Sequence, residues 1–134
     1  MVLIVEDEYR VALAMAKIVR GLGYTTLIAK NIDAAKATIQ KHQHEVSIVI
    51  ADYGMRGPET GLDFLAWLEQ QDVQPVRILV SGMNLDPDAL GIYDHCHYFL
   101  EKPFNLQKLQ DVLSFHQPHD QLTPSAGSLL GPTS

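Results

Sequence analysis

The sequence predicts an α/β domain built on a doubly wound, five-stranded parallel sheet with helices on both faces, and three observations predict it. Short apolar runs alternate with longer segments whose apolar residues recur at helical spacing, the pattern of repeated βαβ crossovers. The runs are nearly continuous in their apolar character, as strands buried on both faces must be. Acids, a serine and a lysine follow directly after four of the five runs, which is where an open parallel sheet binds its ligands.

The first strand is expected at Val2–Val5. Val11, Met15, Ile18, Val19 and Leu22 then mark one face of a first helix, stopped by Gly21 and Gly23. Thr25–Ala29 reads as the second strand, and Asn31 or Asp33 can cap a second helix running to about His42. Val46–Ala51 is the third strand. Thr60–Gln71, with Leu62, Leu65, Trp67 and Leu68, forms a third amphipathic helix. After the fourth strand, Val76–Val80, Asp86 precedes a proline at the first helical position, while Gly91 weakens the helix interior, so a short helix is expected. Tyr98–Leu100 is the fifth strand, closed by Pro103. Leu106, Leu109, Val112, Leu113 and Phe115 define a last helix. One domain therefore spans residues 1–116. Residues 117–134, rich in Pro, Ser, Gly, Thr and His, bury too little apolar surface to offset ordering entropy and read as a flexible tail or linker stub.

The 134 residues suffice for one core, and 46% hydrophobic with 19% charged residues is ordinary globular composition. A formal charge of −6 without any basic run argues against direct binding of nucleic acid. The single cysteine, Cys96, permits no internal disulfide and suits a reducing, cytoplasmic setting. Acidic residues interrupt the opening apolar run where a signal peptide would continue, and no run reaches the roughly 20 residues needed to insert in a membrane.

The residues after the strands are Glu6 and Asp7, Asp52, Ser81 and Gly82, and Lys102. If strands one, three, four and five are neighbours, three carboxylates, a hydroxyl and an ammonium converge. Two carboxylates about 4 Å apart repel by about 4 kcal/mol at an effective dielectric near 20, so three need more countercharge than Lys102 supplies. Hard oxygen ligands in an open cluster suit Mg²⁺, which commonly bridges carboxylates to phosphate. A phosphoryl ligand follows, with Asp52 as attacking carboxylate and Lys102 and Ser81 on other phosphoryl oxygens.

Five segments carry a family resemblance: Leu3-Ile-Val-Glu-Asp-Glu8, Ile50-Ala-Asp-Tyr-Gly-Met55, Gly61-Leu-Asp-Phe-Leu65, Ile78-Leu-Val-Ser-Gly82 and Phe99-Leu-Glu-Lys-Pro-Phe104. In order and spacing, residues 1–115 resemble the chemotaxis-regulator-like receiver domains of two-component response regulators. The resemblance implies a flavodoxin-like sheet of strand order 2-1-3-4-5. It also implies that Asp52 is the phosphoacceptor and Asp7 a direct ligand of Mg²⁺ or Mn²⁺. Glu6 would reach the metal through water, and Gly54 would add its backbone carbonyl. Ser81 would be the switch hydroxyl, Lys102 the phosphate-contacting lysine and Phe99 the aromatic that changes rotamer. Arg56 in place of the usual proline, a slightly long Gly57–Thr60 loop and Gly82 in place of alanine depart from the family pattern.

The implied function is a phosphorylation-activated switch rather than a metabolic enzyme. Its donor would be a phosphohistidine on a sensor histidine kinase or phosphotransfer protein. Its output would be a downstream protein partner or a further output domain, with room for a phosphorylation-dependent homodimer. Three other readings share parts of the pattern. An Asp-nucleophile phosphohydrolase would need a second acid two residues after Asp52, where Gly54 stands. A flavin-binding domain would need a hydroxyl-rich loop where Glu6-Asp7-Glu8 stands. A receiver-like docking module would keep the acids as structural groups, Glu6-Asp7-Glu8 simply forming an acidic first helical turn. The histidines His42, His44, His95, His97, His116 and His119 lack a carboxylate or thiol frame and read as surface residues, and Cys96 is assigned no function.

Overall fold

In the computed structural model of the chain, residues 1–102 and 106–116 are described. Five strands, β1 (Val2–Val5), β2 (Thr26–Ala29), β3 (Ile48–Asp52), β4 (Val76–Ser81) and β5 (Tyr98–Glu101), form one sheet. Every pairing is parallel and the strand order is 2-1-3-4-5, as the sequence led one to expect. Each parallel step requires a crossover, and the helices α1 (Tyr9–Gly21), α2 (Ile32–Lys41), α3 (Gly61–Leu68), α4 (Pro87–Leu90) and α5 (Leu106–Phe115) provide them or follow them.

The two faces of the sheet are two separate cores, divided by the strand period of two. Leu3, Val5, Val49, Ala51 and Leu79 face one way, onto Ala35 and Ile39 of α2 and Phe64, Leu65 and Leu68 of α3. Val2, Ile4, Ile48, Ile50, Ile78 and Val80 face the other, onto Ala12, Met15 and Val19 of α1 and Leu109 and Leu113 of α5. All of these are essentially solvent-free, so β1, β3 and β4 form a rigid centre whose carboxyl ends are fixed in space.

Local chemistry sets the helix limits. Asn31, not Asp33, caps α2, accepting the Ala34 N–H at 2.7 Å. Thr60 and Asp63 form a reciprocal capping box at the start of α3. That helix ends at Leu68, earlier than its apolar pattern suggests, because Glu69, Gln70 and Gln71 donate to carbonyls three residues back and wind a tighter turn. Asp86 caps the four-residue α4. Gly91, expected inside that helix, instead ends it in the left-handed region at φ 62°, and a 3-10 turn over Ile92–Asp94 follows. α1 begins only at Tyr9, so Glu6, Asp7 and Glu8 precede it and do not form its first turn. The expected roles of Pro103 as strand terminator and of 117–134 as a tail, and His119 with them, lie outside the described residues.

Candidate functional site

The register of the sheet explains why distant residues meet. Val5 pairs with Ala51 and Asp52 with Val80, so the residues that leave β1 and end β3 share one level at the carboxyl edge. Ser81 pairs with Glu101, which brings Lys102 beside the same edge. One ligand oxygen from each of Glu6, Asp7 and Asp52 lies within 4.8 Å of the others. Among the described residues this is the one such group of metal-ligating side chains, and the histidines form none.

Each acid is held by a donor of its own. Glu6, 1% exposed, accepts the Glu8 N–H on Oε2 and the Lys102 ammonium on Oε1. Asp52, 7% exposed, accepts the Gly54 N–H on Oδ1 at 3.1 Å and Lys102 on Oδ2 at 2.9 Å. Asp7 accepts the Arg56 N–H on Oδ2 at 3.1 Å, with the Arg56 Nε at 3.6 Å from the same oxygen. Two cations thus face three acids, and the imbalance falls on Glu6. Burial pushes its carboxyl up to about 7 against the opposing bonds from Glu8 and Lys102, and the nearby Asp52 charge adds to the rise. Burial pulls the Lys102 ammonium down, but its bonds to Asp52 and Glu6 outweigh that and leave its pKa raised.

Ser81 is fully buried, and its hydroxyl accepts the Met83 N–H at 2.9 Å. The hydroxyl is therefore tied to the loop after β4 rather than to the acids. Phe99, half-buried, packs against the core face shared with α2 and α3 and pairs with Leu79, two residues before Ser81. Gly54 lines an open concavity with Asp7, Asp52, Met83 and Lys102. Gly82 is not demanded by space, since a Cβ there would meet Lys102 at an ordinary 3.8 Å.

Two residues matter more than their sequence context suggests. A Cβ on Gly61 would fall 2.1 Å from the Asp52 carbonyl oxygen, so only glycine lets α3 start against the backbone of Asp52. The signal was a glycine at the first position of a helix, where it is a poor former. Arg56 stood out only as a departure from a pattern, and nothing in its spacing pointed to Asp7. Four of the five described histidines have local partners: His42 meets Glu45 and His95 meets Glu69, both at 2.7 Å, His97 accepts the Arg77 N–H, and His116 meets the Tyr98 hydroxyl, while His44 is exposed. Cys96 is buried, and its burial pushes the thiol up to about 11, which keeps it protonated and unreactive.

Asp7 and Asp52 on an open concavity, with the buried Glu6 behind them and within 4.8 Å, are a donor set of hard oxygens that fits a small divalent cation. No described helix is long and apolar enough to cross a membrane.

The model of the response regulator receiver domain family matches residues 2–114. The nitrogen assimilation regulatory protein NtrX of Azorhizobium caulinodans is 27% identical over 110 residues, 81% of this chain and 24% of that protein. The chain thus spans about a quarter of the length of this curated relative. Among solved structures, a response regulator receiver protein from Pseudomonas putida superposes with a TM-score of 0.75 at 25% identity, over 86% of this chain and 95% of that one. The receiver domain of NtrX from Brucella abortus superposes with a TM-score of 0.71 at 23% identity, over 87% of this chain and all (100%) of that one.

Proposed function

The chain belongs to the response regulator receiver domain family, and from that premise we propose that it is a signalling switch that takes a phosphoryl group onto Asp52 from a phosphohistidine. In this reading the donor is a sensor histidine kinase or phosphotransfer protein. The P–N bond of the donor breaks as a P–O bond to the Asp52 carboxylate forms, and water later cleaves the acyl phosphate. The chain catalyses only its own loading and unloading: the donor's imidazole leaves on loading, and inorganic phosphate leaves on hydrolysis.

The observation that carries the reading is Lys102, whose ammonium is shared between Glu6 at 3.0 Å and Asp52 at 2.9 Å. A cation held this way by two acids can transfer one bond to an incoming phosphoryl oxygen without leaving the site. Asp7, Asp52 and the Gly54 carbonyl, with Glu6 behind them, would hold Mg²⁺ or Mn²⁺, which supplies neutralisation of the phosphoryl charge. The Gly54 N–H keeps the Asp52 carboxylate oriented.

Phosphorylation adds a charge of about −1.5 to −2 by analogy with other phosphorylated side chains. Ser81 would then exchange its bond with Met83 for one to a phosphoryl oxygen, freeing the loop that leads to α4. Phe99, carried on the neighbouring strand, would follow into the space vacated. The output is altered affinity for a protein partner or an output domain; a coupling of 1 to 3 kcal/mol suffices for a five- to 150-fold change. Incubation with acetyl phosphate and Mg²⁺, followed by intact mass, tests the assignment. A phosphoryl gain on the native protein that is absent from Asp52→Asn is expected; equal gain on both overturns it.

A further inference from the structure

Arg56 stands between two concavities. On one side is the acidic site, where its N–H and Nε address Asp7 Oδ2 at 3.1 and 3.6 Å. On the other is a groove of about 270 Å³ lined by Asn31, Asp33, Pro58 and Glu59, roomy enough for a guanidinium; of its two carboxylates, Glu59 is already paired with the Lys36 ammonium at 3.1 Å, which leaves Asp33 as the anionic seat. The two contacts with Asp7 differ in kind. The main-chain bond is fixed by the turn after β3, whereas the side chain is 87% exposed and holds only the longer contact. The guanidinium is thus free to leave while the backbone keeps Asp7 in place.

From this geometry we infer that Arg56 is a tethered competitor of the divalent cation: its guanidinium neutralises Asp7 when the site is free of metal and withdraws toward Asp33 when a cation binds. The inference rests on the metal reading proposed above. A divalent cation and a guanidinium on one carboxylate repel each other, and the side chain has a second anionic seat within its own reach. The competitor sets cation affinity lower than three acids alone would give. The main-chain N–H serves a separate end, positioning Asp7. No other arginine or lysine in the described residues is in an ion pair with Asp7; Lys102 serves Glu6 and Asp52 instead.

Calorimetric titration of the full chain with MgCl₂ tests this. An exposed ion pair of this kind corresponds to a change of up to about fivefold, so Arg56→Met is expected to bind Mg²⁺ about two- to fivefold more tightly at low ionic strength. The difference is expected to vanish at about 0.5 M NaCl, where the screening length falls to a few ångströms. Arg56→Lys should stay near the native affinity, and Arg20→Met, at the other end of α1, should not change it. Arg56→Pro removes the N–H together with the charge, so it should bind more weakly than Arg56→Met. Circular dichroism melts establish that each variant is folded. If native protein binds Mg²⁺ and Arg56→Met binds it equally at low salt, the competitor is overturned and the metal site stands. If neither binds, the metal site itself fails, and the competitor with it.

Discussion

The ammonium of Lys102 lies 2.9 Å from Oδ2 of Asp52, across 50 residues of sequence, and the same nitrogen reaches Oε1 of Glu6 at 3.0 Å. One cation therefore balances two acids that would otherwise repel each other inside a nearly dry edge of the sheet. Lys102→Met leaves both charges without that partner. It is expected to lower stability by about 1 to 3 kcal/mol near neutral pH in urea titrations without divalent cation. The loss should shrink toward about pH 5, where Glu6 can take a proton instead. Phosphoryl uptake from acetyl phosphate should fall about a hundredfold, the scale of losing one charge-stabilising donor.

Glu6 predicts a pH dependence with a definite sign. Its folded pKa is raised from 4.5 to about 7, so between those values the folded protein holds a proton that the unfolded chain has released. Stability from this group is therefore greatest below about 4.5 and is lost as pH rises through about 7. Glu6→Gln removes the dependence. In cation-free buffer the native protein should lose roughly 1 to 3 kcal/mol, relative to Glu6→Gln, between about pH 5 and about pH 8. Mg²⁺ should restore part of it at the upper end. Urea titrations of both proteins at the two pH values check this, and parallel pH profiles would refute the assignment.

How much of this was legible beforehand follows from what periodicity encodes. Val2 to Val5 and Ile48 to Ala51 announced themselves as strands because every position is apolar, and the strand-end acids followed from where those runs stop. The meeting of Glu6, Asp7 and Asp52 required strands one and three to be neighbours, and the order 2-1-3-4-5 that makes them so was implied by the family resemblance, not by periodicity. Periodicity says which face a residue is on, but not which turn closes over it. Hence Ser81 could be placed at a strand end while its bond to the Met83 N–H could not be foreseen. The same holds for the Arg56 N–H on Asp7, set by a turn 49 residues away in sequence. Gly91 was misplaced for a related reason: composition shows that a glycine weakens a helix, but not whether it sits inside or ends it.

Gly61 is the point where α3 meets the backbone of Asp52. A methyl group there cannot fit, because its nearest neighbours are the rigid carbonyl oxygen and carbon of Asp52 at 2.1 and 2.7 Å. Gly61→Ala must therefore displace either the start of α3 or the end of β3. A loss of about 1 to 3 kcal/mol is expected from overpacking. Because the Asp52 carboxylate moves with its backbone, phosphoryl uptake should fall even under conditions where the variant is fully folded. A variant that is destabilised yet phosphorylated at the native rate would show that α3 alone yields.

Gly91 separates α4 from the 3-10 turn, its backbone in the left-handed region at φ 62°. An alanine is strained in that conformation by about 1 to 2 kcal/mol, and its Cβ would approach Asp94 Oδ2 at 2.9 Å. The carboxylate is the end of a flexible side chain and can turn aside, so the backbone strain decides the outcome. Gly91→Ala is expected to be destabilised by about 1 kcal/mol, whereas Gly91→Asn, whose side chain tolerates the left-handed region, should lose less. The alternative open to alanine is a right-handed residue 91, which would fuse α4 with the turn after it into one longer helix. Far-ultraviolet circular dichroism separates these outcomes: a gain in helical signal with little loss of stability would mean that Gly91, rather than packing beneath α4, holds this segment short.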